Sequence, residues 1–397
     1  MIDVTLDLSP VVHHKAGLAT YAQHLGEALI QSHSIDLSLR AFSYGGGGTA
    51  AHPLNQPLAS LAHTRVRWGA RRWRLTVAVR TFAKLWMDAT VGIHHGNAND
   101  PPSTGRVFHA TEHLLPPLRT ARSVFTFHDG IYALFPQFHL RLNLWFLNLM
   151  MPRFLRQANR IIAVSECSRR DCIRLYNVPQ SKITVIHEAA DPKWRPIDTS
   201  DALDLVRRKY GVPSRFMLFL ATIEPRKNIG TILEAMQVMV AQSIDLASDD
   251  LPVLVVAGRK GWLYEPLFAK VAELALTQRV IFTGYVPDQD AVALMNAATL
   301  FVFPSLYEGF GLPALEAMAC GTPVVCSDTS SLPEVVGDAA VTVSPTDVAA
   351  LAAALQSVWS RPDVRAGLRA RGLARAATFS WERAAAQTAN VYREVVA

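Results

Sequence analysis

Twelve short runs of branched and aromatic apolar residues alternate with longer helix-like stretches along nearly the whole chain, and this alternation constrains the fold more than any other feature. Six runs fall in the first half (2–8, 37–42, 107–111, 123–128, 160–164 and 183–187) and six in the second (216–222, 252–257, 279–283, 300–304, 323–327 and 340–343). Strands of this kind are buried on both faces, so the chain reads as α/β, with parallel sheets covered by helices. Between the two sets, residues 191–213 are rich in charge and proline and poor in apolar periodicity, which marks a linker. Two domains of similar size follow, 1–195 and 196–379, as suits a chain of 397 residues. Ser380 is a plausible helix cap, and 380–397 reads as a last helix packing back on the first domain. Sheets of this class bind ligands at the carboxyl ends of their strands, here in a cleft between two facing domains.

Composition removes several alternatives. With 50% hydrophobic and 18% charged residues the chain is globular, neither disordered nor fibrous. The longest uncharged windows, 41–64 and 291–307, are interrupted by Gly, Pro, His or Asn, so no spanning helix is expected. Asp3 and Asp7 lie where a secretory signal needs a basic flank and an apolar core, which points to a cytoplasmic protein. Cys167/Cys172 and Cys320/Cys326 fit neither a zinc pair nor a disulfide framework and read as reduced core thiols. Gly45–Gly48 reads as a loop tip.

The formal net charge is +6, and its distribution is uneven. No acidic residue occurs between Asp36 and Asp88, where Arg40, Arg65, Arg67, Arg71, Arg72, Arg74, Arg80 and Lys84 are interleaved with Trp68, Trp73 and Trp86. Such a run suits peripheral contact with an anionic membrane at the inner face, with Trp68 and Trp73 at headgroup depth. Nucleic acid is the other polyanion to weigh, but none is expected as a partner. The plain alternative is a solvated helix whose tryptophans face the core. Residues 142–152, with Trp145 and Phe146, are too short to span a bilayer but add an apolar edge.

The most informative stretch is Pro304-Ser305-Leu306-Tyr307-Glu308-Gly309-Phe310-Gly311-Leu312-Pro313-Ala314-Leu315-Glu316-Ala317-Met318-Ala319-Cys320-Gly321. A buried strand enters a turn, glycines open a short helix with Pro313 at its start, and Gly321 ends it. Such a helix start bares N–H groups and the positive end of the dipole, a seat for phosphate, and two carboxylates flank it. The same residues formally fit a dinucleotide fingerprint, with Asp328 following. That reading fails because four residues separate strand from glycines and the helix is short. A second candidate is Glu224-Pro225-Arg226-Lys227-Asn228, which leaves a strand tip with two cations suited to a diphosphate.

With these residues in view, the chain resembles the retaining, nucleotide-sugar-dependent glycosyltransferases of family 4, whose GT-B fold has two facing Rossmann-like domains. The resemblance covers almost the whole chain, and its most specific element is the Glu-x7-Glu pair, Glu308 and Glu316. Further matches are Glu224-Pro225-Arg226-Lys227-Asn228, Val256-Ala257-Gly258-Arg259-Lys260-Gly261-Trp262, Phe282-Thr283-Gly284-Tyr285-Val286-Pro287 and Thr126-Phe127-His128-Asp129-Gly130. The Glu224-Pro225-Arg226-Lys227-Asn228 motif and the Ala257-Gly258-Arg259-Lys260-Gly261-Trp262 motif together look most like bacterial polysaccharide mannosyltransferases.

The resemblance implies that Glu316 holds the ribose diol and that Glu308 contacts the hydroxyls of the donor sugar. Amides around Gly309, Phe310, Gly311 and Leu312, with Arg226 and Lys227, take the diphosphate, and Tyr285 and Val286 touch the base. In the first domain, which binds the acceptor, Gly17 forms a glycine turn near the phosphates and His128 lines the cleft beside the sugar. His94, His95, His109 and His113 read as core histidines. The chain departs from the family at Thr222, where many members carry an arginine, and at Glu188-Ala189-Ala190, where the family has Asn-Gly. Asp288-Gln289-Asp290 spells a metal-binding Asp-x-Asp, but Asp288 reads better as a helix cap, so neither metal nor cofactor is expected. The implied reaction is hexose transfer with retention, mannose from GDP-mannose being the best match, to a glycan or lipid-linked saccharide in polysaccharide biosynthesis. UDP- or dTDP-sugar donors, a nucleotide-sugar epimerase on the same fold, and a binding protein with a degenerate site are the alternatives.

Overall fold

The structure, a computed structural model, describes residues 1–32, 36–45, 53–93, 105–242 and 251–397. It divides into two compact units, Met1–Glu188 together with Ser380–Ala397, and Ala189–Phe379. The first carries strands β1 (Ile2–Asp7), β2 (Leu37–Tyr44), β3 (Ala62–Val66), β4 (Arg106–Ala110), β5 (Arg122–Phe127), β6 (Arg160–Ala163) and β7 (Ile183–Val185). Its helices are α1 (Ser9–Val12), α2 (Ala16–Gln31), α3 (Ala70–Ala83), α4 (Ile131–Leu134), α5 (Arg141–Gln157) and α6 (Glu166–Tyr176). The second unit contains α7 (Ser200–Tyr210), β8 (Met217–Leu220), α8 (Ile229–Gln242), β9 (Leu254–Ala257), α9 (Glu265–Glu273), β10 (Val280–Gly284) and α10 (Asp288–Ala297). It continues through β11 (Leu300–Phe303), α11 (Leu312–Ala319), β12 (Val324–Ser327), α12 (Leu332–Val336), β13 (Val341–Val343), α13 (Val348–Ser360) and α14 (Pro362–Ala376), before α15 (Trp381–Val396) rejoins the first unit.

Both sheets are wholly parallel and doubly wound. The first has the order β3-β2-β1-β4-β5-β6-β7 and the second β10-β9-β8-β11-β12-β13. In each, the strand order reverses direction beside the first strand, which opens a switch point at the carboxyl ends of β1 and β4 and of β8 and β11. Every residue of β9, β11 and β12 is buried, which is why these strands read as unbroken apolar runs.

Three local readings are corrected by the structure. The linker segment 191–213 belongs to the second unit and contains α7, which buries only Val206 and therefore leaves little apolar signal in the sequence. The basic run is not one helix, because its first part is β3, a polar edge strand paired in parallel with β2 from Arg40↔Ala62 to Tyr44↔Val66. Trp73 is not interfacial: it is fully buried, stacked at 5.3 Å on Tyr44, with the half-buried Trp68 packed against it at 6.2 Å. Residues 46–48 of the glycine run, and His94 and His95, lie outside the described residues. All four cysteines are free and buried. Among the described residues no helix is long and apolar enough to cross a membrane.

The last helix is built into the first unit. Ser380 Oγ accepts the Arg383 N–H at 3.2 Å and caps α15, while Trp381, Ala385 and Tyr392 are buried. Tyr392 OH meets His109 Nδ1 at 2.7 Å, His109 Nε2 meets Thr126 Oγ1 at 2.7 Å, and Thr126 Oγ1 meets Tyr21 OH at 2.9 Å. His109 is thus the core residue expected, and burial lowers its pKa to about 3. At the surface, Arg393 forks onto Asp36 at 2.6 and 2.9 Å. Tyr392→Phe removes the hydroxyl and leaves a buried ring nitrogen of His109 unpaired, which should cost about 1–3 kcal/mol in urea unfolding. A loss smaller than about 0.5 kcal/mol would show that the chain of hydrogen bonds contributes nothing net.

Candidate functional site

The switch point of the second sheet gathers the informative motifs. After β8 the chain makes a single 3₁₀ turn over Pro225–Lys227 and leaves it through Asn228, which sits in the left-handed region at φ +57. Asparagine tolerates that conformation, and its amide nitrogen donates to the carbonyls of Pro304 (3.1 Å) and Pro345 (2.7 Å). The loop after β11 runs alongside: Leu306 N donates to the Arg226 carbonyl at 2.9 Å, and the Ser327 hydroxyl donates to the Ser305 carbonyl at 2.5 Å. Gly258 at the end of β9 closes the third side. A Cβ there would stand 1.8 Å from the Ala221 carbonyl oxygen, and its φ of +150 also excludes larger residues.

Within this frame Arg226, Lys227 and Glu308 meet. Lys227 Nζ donates to Glu308 Oε1 at 2.7 Å and lies 4.8 Å from the centre of the Phe303 ring. Arg226 Nη1 donates to Glu308 Oε2 at 2.7 Å and to the Tyr307 carbonyl at 2.9 Å. The other end of the guanidinium is held by Glu224, whose Oε1 accepts from Nε at 3.1 Å and Nη2 at 2.5 Å. Glu224, Lys227 and Glu308 are all buried. Two carboxylates and two cations therefore compensate one another out of water, where an unpaired charge is very costly. Burial alone would push the Glu308 carboxyl up, but Arg226 and then Lys227 outweigh it and hold it at about 2. Burial, followed by the neighbouring Arg226, lowers the Lys227 ammonium against the pull of Glu308.

The glycine turn supports the same carboxylate. Gly311, at φ +107, is the residue before α11, and Ser331 Oγ lies 2.9 Å from the Glu308 carbonyl and 2.7 Å from that of Phe310. The Glu308 N–H donates to Ser330 Oγ at 3.0 Å. Leu312 opens α11, whose eight residues carry Glu316 on the second turn. Glu316 lies in a different environment, hydrogen-bonded to Trp194 and within the electrostatic reach of Lys193, Asp191 and Asp288. Burial raises its carboxyl to about 7, with Lys193 opposing. Tyr285 is exposed with the Arg259 guanidinium 4.2 Å from its ring centre, and Val286 is buried. Asp288 is not the cap of α10: Pro287 holds that position and Asp288 is the first helical residue, with Lys193 Nζ at 2.7 Å. Asp290 accepts from Lys209 at 2.5 Å and Tyr210 OH at 2.7 Å.

In the first unit, His128 directly follows β5, is buried, and donates from Nε2 to the Thr111 carbonyl at 2.9 Å. Its Nδ1 stands 3.4 Å from Glu188 Oε1, and the Tyr21 ring meets it edge-on at 4.9 Å. Gly17 does not make the turn assigned to it. It is helical within the first turn of α2, and the left-handed residues are His14 (φ +48) and Ala16 (φ +39). Beside them is a buried polar set that sequence reasoning missed. Glu112 is bound by the ammonium of Lys15 and by Tyr44 OH (2.5 Å), and Asp7 accepts from Ser9 N (2.9 Å) and Oγ. Burial, helped by Glu112, raises Asp7 to about 7, and burial lowers His113 to about 4. Only the placement of Asp7 at a strand end and of Lys15 before a helix was available from sequence to find them. Glu224 was within a quoted motif, but nothing local assigned it to Arg226.

Comparison with known proteins follows the same division. The chain matches the description Glycosyltransferase Family 4 over residues 16–194 and Glycosyl transferases group 1 over residues 206–375. The O-antigen chain mannosyltransferase B of Escherichia coli is 37% identical over 287 residues, which is 72% of this chain and 74% of that protein. The serotype-specific mannosyltransferase WbdA of Escherichia coli is 33% identical over 227 residues, 57% of this chain but only 27% of its own length. Among solved structures, sucrose-phosphate synthase from Thermosynechococcus elongatus has a TM-score of 0.75 at 21% identity, covering 100% of this chain and 99% of that one. WaaG, a glycosyltransferase involved in lipopolysaccharide biosynthesis, has a TM-score of 0.68 at 16% identity with 99% of each chain covered. At these identities the structural matches show the fold.

The buried carboxylate gives a pH-dependent stability. Because its folded pKa lies at about 2, below the ordinary 4.5, Glu308 contributes fully above pH 4.5, and its contribution is lost as pH falls toward 2. The shift corresponds to roughly 3 kcal/mol. Urea unfolding of the parent and Glu308→Gln should differ by about that amount at pH 7 and converge as pH falls below 4.5. A difference that stays constant with pH would place the carboxylate outside the ion-paired set.

Proposed function

This chain belongs to glycosyltransferase family 4, and from that membership we propose that it transfers mannose from GDP-mannose to a glycan or lipid-linked saccharide. The product belongs to a bacterial polysaccharide of the lipopolysaccharide type, and the enzyme works in the cytoplasm, with peripheral contact at the inner membrane face. The choice of mannose is supported by the mannosyltransferase names of its Escherichia coli relatives. The observation that carries the reading is the compensated buried set of Glu224, Arg226, Lys227 and Glu308 at the switch point, next to the start of α11.

Charge in this reaction develops on the departing diphosphate and on an oxocarbenium-like sugar, so protein groups act best when fixed before the reaction begins. Lys227 has three N–H donors, and its bond to Glu308 uses one, so the ammonium can turn the others to a diphosphate oxygen. The N–H groups and dipole at the start of α11 add to the same side. Glu308, ionised and gripped at both oxygens, takes hydroxyl hydrogens of the hexose and fixes the ring. Arg226, clamped by Glu224, holds Glu308 in that pose and supplies positive potential beside the leaving group. Glu316 takes the ribose diol, and Tyr285 with Val286 borders the base. Departure of the diphosphate on the face where the acceptor hydroxyl attacks, with a phosphate oxygen taking its proton, gives retention. In the first unit, which this reading assigns to the acceptor, His128 is steadied by Thr111 and Glu188, and Gly17 lies in the first turn of α2. No metal is required in this scheme, since Asp288 and Asp290 are already engaged by Lys193, Lys209 and Tyr210.

The reading is tested on donor and site together. GDP-mannose should raise the melting temperature more than UDP- or dTDP-sugars do, by mass action on the folded state. Glu308→Ala should lower turnover about 100-fold or more while GDP affinity changes little, whereas Lys227→Ala should weaken both. Full turnover in Glu308→Ala, or loss of activity in EDTA restored only by magnesium or manganese, would overturn the assigned roles. Glu316 adds a pH signature. Its carboxyl, raised to about 7, ionises between pH 6 and 8, and the ionised form is the better acceptor for a diol. GDP-mannose affinity should therefore rise across that interval in the parent and stay flat in Glu316→Gln; equal profiles would remove Glu316 from the ribose site.

A further inference from the structure

The face of the first unit formed by α3 and α5 is apolar where it meets solvent, and its charge has one sign. Eight of the twelve exposed large apolar residues among those described fall within 75–86 and 140–145, with Leu75 at 65%, Leu142 at 79% and Trp145 at 64% exposure. α3 is apolar on two opposite sides. Trp73 and Val77 enter the core, whereas Leu75, Val79 and Phe82, turned by about 180° at 100° per residue, face outward. A water-exposed helix has no need of that second stripe. α5 repeats the arrangement, burying Leu147, Met150, Met151 and Phe154 while Leu142 and Trp145 project.

The two outward stripes form one surface. Arg74 Nη1 donates to Asn143 Oδ1 at 3.0 Å and lies 5.6 Å from the Phe146 ring centre, and Arg153 lies 4.4 Å from that of Phe82, so the helices run alongside each other. The sequence contains no Asp or Glu between Asp36 and Asp88 or between Asp129 and Glu166, which are the segments that supply these helices. Arg71, Lys84 and Arg141 are exposed at its edge. Two acid-free segments, distant in sequence, thus converge on one cationic apolar face.

We infer that this α3–α5 face docks on an anionic lipid bilayer, with Leu142, Trp145 and the Leu75–Val79–Phe82 stripe entering the headgroup boundary and the surrounding arginines and lysine meeting lipid phosphates. Charge complementarity selects lipid: cations attract the anionic leaflet, and large apolar tips gain only where an acyl layer receives them. A soluble polyanion would engage the cations and leave the apolar tips in water. Of the two tryptophans assigned to the membrane from sequence, Trp68 and Trp73, the second is instead the core anchor that fixes α3 with its second stripe outward. The inference rests on the lipid-linked acceptor reading for its purpose, but the surface itself is testable without any transfer reaction.

The test is vesicle flotation of the full chain. Partition should be at least tenfold higher onto mixed phosphatidylcholine–phosphatidylglycerol vesicles than onto phosphatidylcholine alone, and should collapse near 1 M salt, where the Debye length is about 3 Å. Arg71→Gln, Lys84→Gln and Arg141→Gln should each lower it about fivefold, and Leu142→Ser with Trp145→Ser should abolish it at low salt. These sites are exposed, so unchanged urea unfolding is expected and separates surface loss from misfolding. Equal partition onto both vesicle types, or binding unchanged in both sets of variants, overturns the inference. So does a dimer of the parent that the Leu142/Trp145 variant dissociates, because the face would then cover a second copy. If the parent binds vesicles as described but transfers no mannose, the transferase reading fails while the docking surface stands.

Discussion

A buried carboxylate held between two cations organises the second unit. Glu308 can remain ionised away from water only because Arg226 and Lys227 reach it from another strand's loop, and Arg226 can do so only because Glu224 compensates its far side. These contacts require the tips of β8 and β11 to lie together, and the strand order provides that by making them neighbours at the reversal of the sheet. The left-handed Asn228, the close approach at Gly258 and the serine bonds behind the glycine turn follow as conditions for bringing the loops to hydrogen-bond range. A chemically ordinary ion pair becomes specific because the fold removes its water.

The first unit uses the same topology with different polar groups. At the carboxyl ends of β1, β2 and β4, Asp7, Tyr44 and Glu112 are brought together, and Lys15 before α2 reaches Glu112. The last helix supplies Tyr392 to complete a buried chain through His109, Thr126 and Tyr21. This helix, α15, is therefore part of the scaffold under β4 and β5, the strands that present Thr111 and His128.

Legibility from sequence followed burial. All twelve expected strands are present, and β9, β11 and β12 were the plainest because a parallel strand covered on both faces is apolar throughout, whatever its neighbours are. The thirteenth, β3, was missed because an edge strand with polar residues on both sides carries no such pattern. α7 was missed because one buried valine makes no period. The site was legible where type and spacing are local, as in the loop from Glu308 to Glu316, and less so where a role depends on a distant partner. Glu224 is an ordinary loop acid in sequence, and only the fold shows the Arg226 fork spread between it and Glu308.

By itself the sequence determined that two parallel α/β sheets form, twelve of the strands that build them, that a glycine turn opens a short helix beside Glu308, and that one stretch of the chain is basic and free of acid. Each depends on residues close in the chain, through apolar periodicity, backbone conformation and local charge. Tertiary structure alone decided which tryptophan fills the core and which faces water, that α3 and α5 share a surface, and that Glu308 is ionised by cations about eighty positions away. Those outcomes are set by desolvation and by contacts between distant segments, quantities that do not exist until the chain has folded.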